Sequence, residues 1–142
     1  MRSFELAIAI EAPPDALWRA ITAVAQYPKW NPVIRRVDGV FAPGNRLRCQ
    51  LSLGGRTRPF VCRFVALTPP VRVTFSKVFL ARWLFTVEHH LEVLPFKANL
   101  SVFQQRWVAR GALAFALWPR LRRRLPQFKP MNLALRDQLE GR

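Results

Sequence analysis

The chain has 142 residues, of which 51% are hydrophobic and 12% aromatic, and it carries a net charge of +15. This length is typical of one domain, so residues 1–142 are predicted to form a single unit. The apolar fraction can offset the ordering entropy of the backbone, which excludes an intrinsically disordered chain.

The positive charge comes mainly from arginine, which supplies 19 of the 23 basic residues. No acidic residue occurs from residue 93 to residue 136. Such an excess can bind the phosphates of nucleic acid or an anionic membrane surface, or it can simply decorate a solvated surface. Nucleic acid is the disfavoured partner, because the basic residues are spread along the chain rather than interleaved with stacking aromatics. The oligomeric state is left open.

Neither a secretory signal nor a membrane-spanning helix is expected, so we expect a cytoplasmic protein. The N-terminal stretch FELAIAIEAPP contains two glutamates and alternates like a strand. The apolar stretch GALAFALW is far shorter than the roughly 20 residues that a bilayer requires. Cys49 and Cys62 fit no metal or disulfide pattern. They are expected to be buried free thiols, and no metal or other cofactor is predicted.

The N-terminal segment predicts a strand, a helix and a short turn. The stretch FELAIAIEA alternates apolar with other residues, as a strand does. The stretch PPDALWRAITAV predicts a helix, because proline suits the first turn and Leu17, Ile21 and Val24 share one face. Pro28 and Pro32 then confine the residues between them to a turn or a single helical turn.

The clearest hairpin is NRLRCQLSLGGRTRPFVCRFVAL, in which Gly54 and Gly55 form a candidate two-residue turn. If Leu53 opposes Arg56, the two strands share one apolar face. That face consists of Leu47, Cys49, Leu51, Phe60, Cys62 and Phe64. Arginines occupy the other face, so the sheet is predicted to be apolar inside and basic outside.

Three further strands follow, within VRVTFSKVF, RWLFTVEHHLEVLP and NLSVFQQRWVA. The inward positions are Val71, Val73 and Phe75 on the first, Trp83, Phe85, Val87, His89, Leu91 and Val93 on the second, and Phe103, Gln105 and Trp107 on the third. A three-residue loop between the last two strands would set His89 opposite Gln105. A slip of one residue would instead turn Gln104 inward.

The C-terminal segment changes to helical character. It predicts a broken helical segment and then a final helix, which Pro126 and Pro130 begin and Gly141 ends. The apolar stripe of the final helix is Phe128, Met131, Leu135 and Leu139. The order of elements is strand, helix, short turn, at least five more strands and a terminal helix. This order predicts an α+β fold with helices on one face of an antiparallel sheet.

The stretches APPDALWRAI, YPKWNPVIRRVDGVFAPGNRLRCQL, HHLEVLP, QRWVA and PMNLALRDQLE resemble the SRPBCC superfamily. This superfamily is also called START-like or polyketide cyclase/dehydrase-like, and the YPKWNP element followed by Gly44 resembles one large branch of it. The resemblance implies the helix-grip fold, a curved antiparallel sheet wrapped around a long C-terminal helix, with two short helices after strand one. It also implies a hydrophobic cavity with Trp30 at its mouth and Asn31 pinning the turn. Plain core and turn-forming roles are the alternatives for these two residues.

His89 and Gln105 are the leading polar groups that the alternation directs inward. His89 lies where relatives often carry histidine, and Gln105 lies where relatives often carry glutamate. A glutamate–histidine pair could share a proton, whereas glutamine can only orient a ligand through hydrogen bonds. His89 therefore remains the candidate catalytic residue, with a satisfied core histidine as the alternative. The sequence contains no nucleophile elbow, phosphate loop or zinc motif.

Two functions follow from the implied cavity. The first is the binding or carriage of a small hydrophobic molecule, such as a lipid, a fatty-acyl chain or an aromatic polyketide. The second is a cyclase/dehydratase-like enzyme that uses His89 as its acid or base. The predicted ligand-binding residues are Trp30, Leu47, Cys49, Phe64, Phe75, Phe85, His89, Phe103, Gln105, Trp107, Met131 and Leu135.

A third function follows from the basic segment 120–124. A peripheral protein could dock there on an anionic membrane, because each base near such a surface contributes roughly 1 kcal/mol. The predicted contact residues are Trp118, Arg120, Arg122, Arg123 and Arg124. A solvated helix face is the alternative.

Overall fold

A computed structural model describes residues 2–142 of the chain. Seven antiparallel strands form one sheet in the order β1-β7-β6-β5-β4-β3-β2. The strands are β1 (Arg2–Ile10), β2 (Ile34–Asp38), β3 (Arg46–Leu53), β4 (Arg56–Thr68), β5 (Arg72–Phe79), β6 (Phe85–Lys97) and β7 (Leu100–Arg110). The helices are α1 (Pro14–Thr22), α2 (Tyr27–Trp30), α3 (Ala114–Arg124) and α4 (Lys129–Glu140), with short 3₁₀ turns at Val24–Gln26 and Leu125–Phe128.

The sheet curls into a half-barrel around the C-terminal helical segment. Helix α1 packs on β6 and β7, and α4 packs on β1. The two short helices after the first strand are α1 and α2, and the C-terminal helix is broken between α3 and α4. The α+β helix-grip fold that the resemblance implied is therefore confirmed.

The turn after α2 is built around a buried asparagine. The Oδ1 atom of Asn31 accepts hydrogen bonds from the backbone N–H groups of Val33 and Ile34, each at 2.9 Å. The Trp30 ring meets the edge of the Tyr27 ring at a centroid distance of 5.3 Å. Tyr27 is fully buried, and its hydroxyl donates to the Ile21 carbonyl. Asn31 thus pins the start of β2, while Trp30 packs behind Tyr27.

The β3–β4 hairpin has the register that its glycine turn predicts. Leu53 lies opposite Arg56, and Leu47 lies opposite Cys62. Cys49 and Cys62 are buried free thiols with their Sγ atoms 4.0 Å apart. The prediction of buried, unbridged cysteines is therefore confirmed.

The predicted pairing of His89 with Gln105 is wrong. His89 lies opposite Trp107, and Gln105 lies opposite Leu91. The hairpin turns tightly, with Lys97 paired to Leu100, and the register shifts between Pro95 and Lys97. The two-residue turn and this irregularity together move the register by two positions. Because two is one full period of a strand, Gln105 still points inward.

Two residues at strand ends were predicted to point inward but are exposed. Val71 precedes β5 and is 38% exposed, and Trp83 is 71% exposed in the turn before β6. This turn folds back on itself, because the N–H groups of Leu84 and Phe85 both donate to the Ala81 carbonyl. The alternation of β6 therefore begins only at Phe85.

We expect a Gly111→Ala substitution to destabilise the protein more than Gly55→Ala. The φ angles are +118° and +80°, and a residue with a side chain in this conformation costs roughly 1–2 kcal/mol. At Gly111 the added Cβ would also lie 2.3 Å from the Leu84 carbonyl oxygen, whereas at Gly55 it would meet open space. Urea denaturation measures the difference. Equal losses in the two variants would contradict the close approach at Gly111.

Candidate functional site

An apolar cavity of about 140 Å³ lies between the inner face of the sheet and the C-terminal helical segment. Its lining comes from β2 to β7, from Tyr27, and from Leu121, Leu125 and Phe128 of the helical segment. A cavity of this size holds about one aromatic ring. It is partly open, and Leu53, Phe79 and Leu121 are among its partly exposed lining residues.

Aromatic rings pack closely along one wall of the cavity. The His89 ring stacks on Trp107 with a centroid distance of 4.5 Å and an interplanar angle of 10°. The Phe128 ring meets both of them edge-on, at 5.3 Å from His89 and 5.0 Å from Trp107. Such offset and edge-on pairs add to the stability that burial gives. The imidazole is therefore fixed in orientation before any ligand arrives.

A hydrogen-bonded chain links His89 to the final helix. Nε2 of His89 lies 3.0 Å from Oε1 of Gln105, and Nε2 of Gln105 donates to Oδ1 of Asn132 at 2.7 Å. The same amide nitrogen lies 3.3 Å from the Phe128 carbonyl, which can only accept. The Gln105 oxygen must then face the imidazole and accept its Nε2 proton. Nδ1 of His89 is left as an acceptor.

His89 is neutral at physiological pH. The pKa of His89 is lowered to about 3, mainly by burial; the hydrogen bond to Gln105 opposes this shift, and the charge of His90 adds to it. A neutral imidazole suits an apolar wall, because a charged one would lose its hydration there. At pH 7 the ring has no proton to release as an imidazolium, and it is a weak base.

Of the predicted ligand-binding residues, Cys49, Phe75, His89 and Trp107 line the cavity. Gln105 is fully buried behind His89 and has all its hydrogen bonds made within the protein. The remaining predictions lie outside the lining, in the core or packed against it: Trp30, Leu47, Phe64, Phe85, Phe103, Met131 and Leu135. A side chain that points into the protein therefore does not necessarily border the cavity.

Lys77 is the cationic residue of the lining, and it was not among the residues predicted from the sequence. Its Nζ donates to the Val61 carbonyl at 2.8 Å and lies 5.0 Å from the centre of the Phe60 ring. The alternation that sends Val73 and Phe75 inward continues to Lys77, so the signal was present. The helical lining was also missed, although Leu117, Leu121 and Leu125 recur every four residues.

Trp118 cannot contact a membrane, so that prediction is wrong. It is 6% exposed and belongs to the core cluster. The helical stripe of Ala114, Trp118 and Leu121 turns toward the sheet, because the apolar face of an amphipathic helix seeks the core. The neighbouring residues Arg120, Arg122, Arg123 and Arg124 are all exposed. The guanidinium of Arg122 lies 5.1 Å from the centre of the Phe4 ring.

Two negative findings concern residues 2–142. No group of three or more histidine, cysteine, aspartate or glutamate side chains is placed to hold a metal ion. None of the helices is long and apolar enough to cross a membrane.

A curved antiparallel sheet that encloses an apolar cavity against C-terminal helices defines a helix-grip protein. The chain belongs to the polyketide cyclase/dehydrase and lipid transport family, whose profile matches residues 1–130. No curated protein sequence is significantly similar to it.

Solved structures share the fold at low sequence identity. A START superfamily protein from Mycobacterium smegmatis is 14% identical, with 98% of this chain and 97% of that chain covered and a TM-score of 0.74. The Zhui aromatase/cyclase from a Streptomyces species is 17% identical, with 98% and 93% covered and a TM-score of 0.70. Norcoclaurine synthase from Thalictrum flavum, in complex with dopamine and hydroxybenzaldehyde, is 11% identical, with 99% and 87% covered and a TM-score of 0.74.

We expect a Gln105→Glu substitution to raise the pKa of His89. A carboxylate beside the imidazole would favour its protonated form, which burial disfavours in the wild type. Titration of the histidine ring protons by NMR measures this shift. Gln104→Glu is the matched control, because Gln104 bonds to Glu92 and not to His89. A wild-type His89 that titrates near pH 6.5 would contradict the enclosed site.

The low pKa of His89 also determines how the stability of the folded protein changes with pH. Because the pKa of His89 is about 3 in the folded protein and about 6.5 when unfolded, the unfolded chain binds more protons between these values. Stability is therefore expected to fall as the pH drops from about 6.5 toward 3. A His89→Gln variant should show a shallower fall in urea midpoint over this range, and an unchanged slope would contradict the assignment.

Proposed function

We propose that this protein binds a small hydrophobic molecule, or the apolar part of a larger one, in the cavity between the sheet and the C-terminal helices. The proposal rests on the cavity wall, which consists mainly of aliphatic and aromatic side chains around an open volume of about 140 Å³. Family membership supports it, because the family includes lipid transport proteins. Pre-formed apolar space with few polar groups is the usual form of a small-molecule site.

The size of the cavity limits how tightly it can hold a ligand alone. A ligand that buried about 100 Å² of apolar surface would gain roughly 2.5 kcal/mol before the costs of association. Millimolar affinity already requires about 4 kcal/mol. A tightly bound ligand must therefore extend beyond the cavity through its opening. An extended amphiphile such as a fatty acid satisfies this requirement better than a compact ring.

The polar end of such a ligand is assigned to Lys77. Gln105 was expected to fix that end, but its hydrogen bonds to His89 and Asn132 already occupy it. Lys77 lines the cavity and carries a positive charge, and no carboxylate lies within salt-bridge distance of it in the described part of the chain. A carboxylate head group would give this ammonium a partner.

An enzyme of the cyclase/dehydratase kind is the second candidate. It is favoured by one feature, the free acceptor Nδ1 of His89 on the cavity wall. The lowered pKa of His89 makes that acceptor a weak base at pH 7, so binding is the stronger candidate. A His89→Ala variant separates the two. It should abolish any turnover if His89 is the base, and it should only weaken binding if the protein is a carrier.

We expect a Leu51→Trp substitution to block ligand binding. Leu51 lines the cavity and is only partly buried, so a larger ring can fill the space without forcing the core apart. The matched control is Gln50→Trp, which places the same ring on the exposed neighbouring position. The fluorescence of N-phenylnaphthylamine, a neutral apolar probe, reports occupancy. A tenfold weaker affinity is expected for L51W only, and equal affinities for both variants would contradict the cavity as the binding site.

Lys77 is expected to make the protein prefer dodecanoate over dodecanol. Displacement of N-phenylnaphthylamine measures both affinities in the wild type and in a Lys77→Met variant, which should lose the preference but still bind dodecanol. Lys97→Met is the matched control, because Lys97 lies at the far end of β6. Equal affinities for the two ligands in the wild type would contradict the role of Lys77 and leave the cavity unaffected.

A further inference from the structure

Three large apolar side chains stand out of one end of the sheet. Leu80 is 81% exposed, Trp83 is 71% exposed and Phe115 is 64% exposed. Leu80 and Trp83 belong to the turn between β5 and β6, and Phe115 belongs to the first turn of α3. Isolated exposed apolar residues need no explanation, whereas a large contiguous apolar patch marks an interaction site.

Backbone hydrogen bonds hold these two segments together. The N–H of Ala112 donates to the Trp83 carbonyl at 3.0 Å, and the N–H of Leu113 donates to the Leu84 carbonyl at 2.9 Å. Phe115 follows three residues after the first of these contacts. The turn and the start of α3, which carry these exposed apolar side chains, are therefore neighbouring segments.

Leu80 occupies a backbone conformation that leucine avoids. Its φ angle is +68°, the one positive value among the described residues other than glycine. A side chain in this left-handed conformation costs free energy. Leu80 is 81% exposed, so its side chain gains too little from burial to offset that cost. Strain of this kind concentrates at functional sites.

Helix α3 brings positive charge to the same end. The helix starts beside the turn, its Arg122 lies over Phe4 at the beginning of β1, and Gln127 just beyond it approaches Gly54 of the β3–β4 turn. The helix therefore crosses the open end of the half-barrel. Arg120 and Arg123 are exposed residues of α3 that follow Phe115, and Arg82 is an exposed residue of the turn.

The two segments that carry this surface contain no acidic residue. No acidic residue occurs from residue 39 to residue 87 or from residue 93 to residue 136. Within residues 2–142, no carboxylate lies within salt-bridge distance of Arg82, Arg120 or Arg123. A partner at this surface must supply both anions and an apolar layer.

We propose that Leu80, Arg82, Trp83, Phe115, Arg120 and Arg123 form a docking surface for an anionic lipid bilayer. The apolar side chains would enter the boundary between head groups and acyl chains, where tryptophan is favoured. The arginines would contact the lipid phosphates, as basic residues at anionic surfaces do. This surface replaces the one predicted around Trp118, which is buried. It does not depend on the proposed ligand, because none of its six residues lines the cavity.

The opposite end of the sheet offers a matched control. Phe96 is 67% exposed in the β6–β7 hairpin, and Lys97 lies beside it with its Nζ 5.7 Å from the ring centre. It is as apolar and as exposed as Phe115, but it is a single aromatic ring without the arginines of α3. A Phe96→Ser variant therefore tests whether any exposed aromatic residue supports membrane binding.

The experiment is co-sedimentation with vesicles of phosphatidylcholine alone or mixed with phosphatidylglycerol. The wild type is expected to bind the mixed vesicles but not the neutral ones, and its affinity should fall as the salt concentration rises. A Leu80→Ser, Trp83→Ser, Phe115→Ser triple variant should bind at least tenfold more weakly, while Phe96→Ser should bind like the wild type. Circular dichroism melting and N-phenylnaphthylamine binding, unchanged in the triple variant, show that its fold and cavity are intact.

Several results would overturn the proposal. Wild-type protein that binds neither vesicle, or both equally, has no anionic docking surface. If the triple variant binds like the wild type while Arg82→Gln, Arg120→Gln, Arg123→Gln does not, the attraction is charge alone and the apolar residues do not insert. If duplex DNA displaces the vesicles and binds in a way that the same variants abolish, the surface serves nucleic acid instead.

Discussion

A single irregularity in β6, between Pro95 and Lys97, decides which face of β7 points into the protein. The tight turn at Lys97 and Leu100 alone would direct Gln104 inward. Because the irregularity restores the parity, Gln105 reaches the interior and bonds to Asn132 at 2.7 Å. That bond joins the centre of the sheet to the final helix, and a buried polar pair of this kind is costly to leave unmade.

The sheet separates its charges by face, and this separation leaves the cavity apolar. Glu92 illustrates it, since its carboxylate lies on the outer face between Arg72 at 2.9 Å and Arg106 at 3.2 Å. Burial alone would raise the pKa of Glu92, but the hydrogen bonds from Arg106 and Gln104 and the charge of Arg72 lower it. The carboxylate thus stays ionised on the outer face, outside the cavity lining.

Local chemistry predicted the fold better than it predicted the site. The Gly54-Gly55 turn set the β3–β4 register because two glycines accept the positive φ angles that a tight hairpin requires. The predicted β6–β7 register was wrong by two positions, because no residue type indicates the irregularity between Pro95 and Lys97. Cavity lining could be predicted only in part, since alternation gives a direction and not the distance to the opposing side chain. Phe64 points inward but meets Phe41 at a centroid distance of 4.2 Å, so no space remains there.

The features with a proposed role converge on one end of the molecule. Lys77 lines the cavity two residues before the end of β5, and Leu80 and Trp83 follow in the next turn. At the other end, Ser101 is fully buried and donates to the Ala12 carbonyl at 2.8 Å, which ties β7 to the chain beyond β1. An amphiphile that left a bilayer at the first end would thus meet Lys77 close to the proposed docking surface. If both proposals hold, the last residues of β5 would join the cavity to the docking surface, because only Val78 and Phe79 separate Lys77 from Leu80.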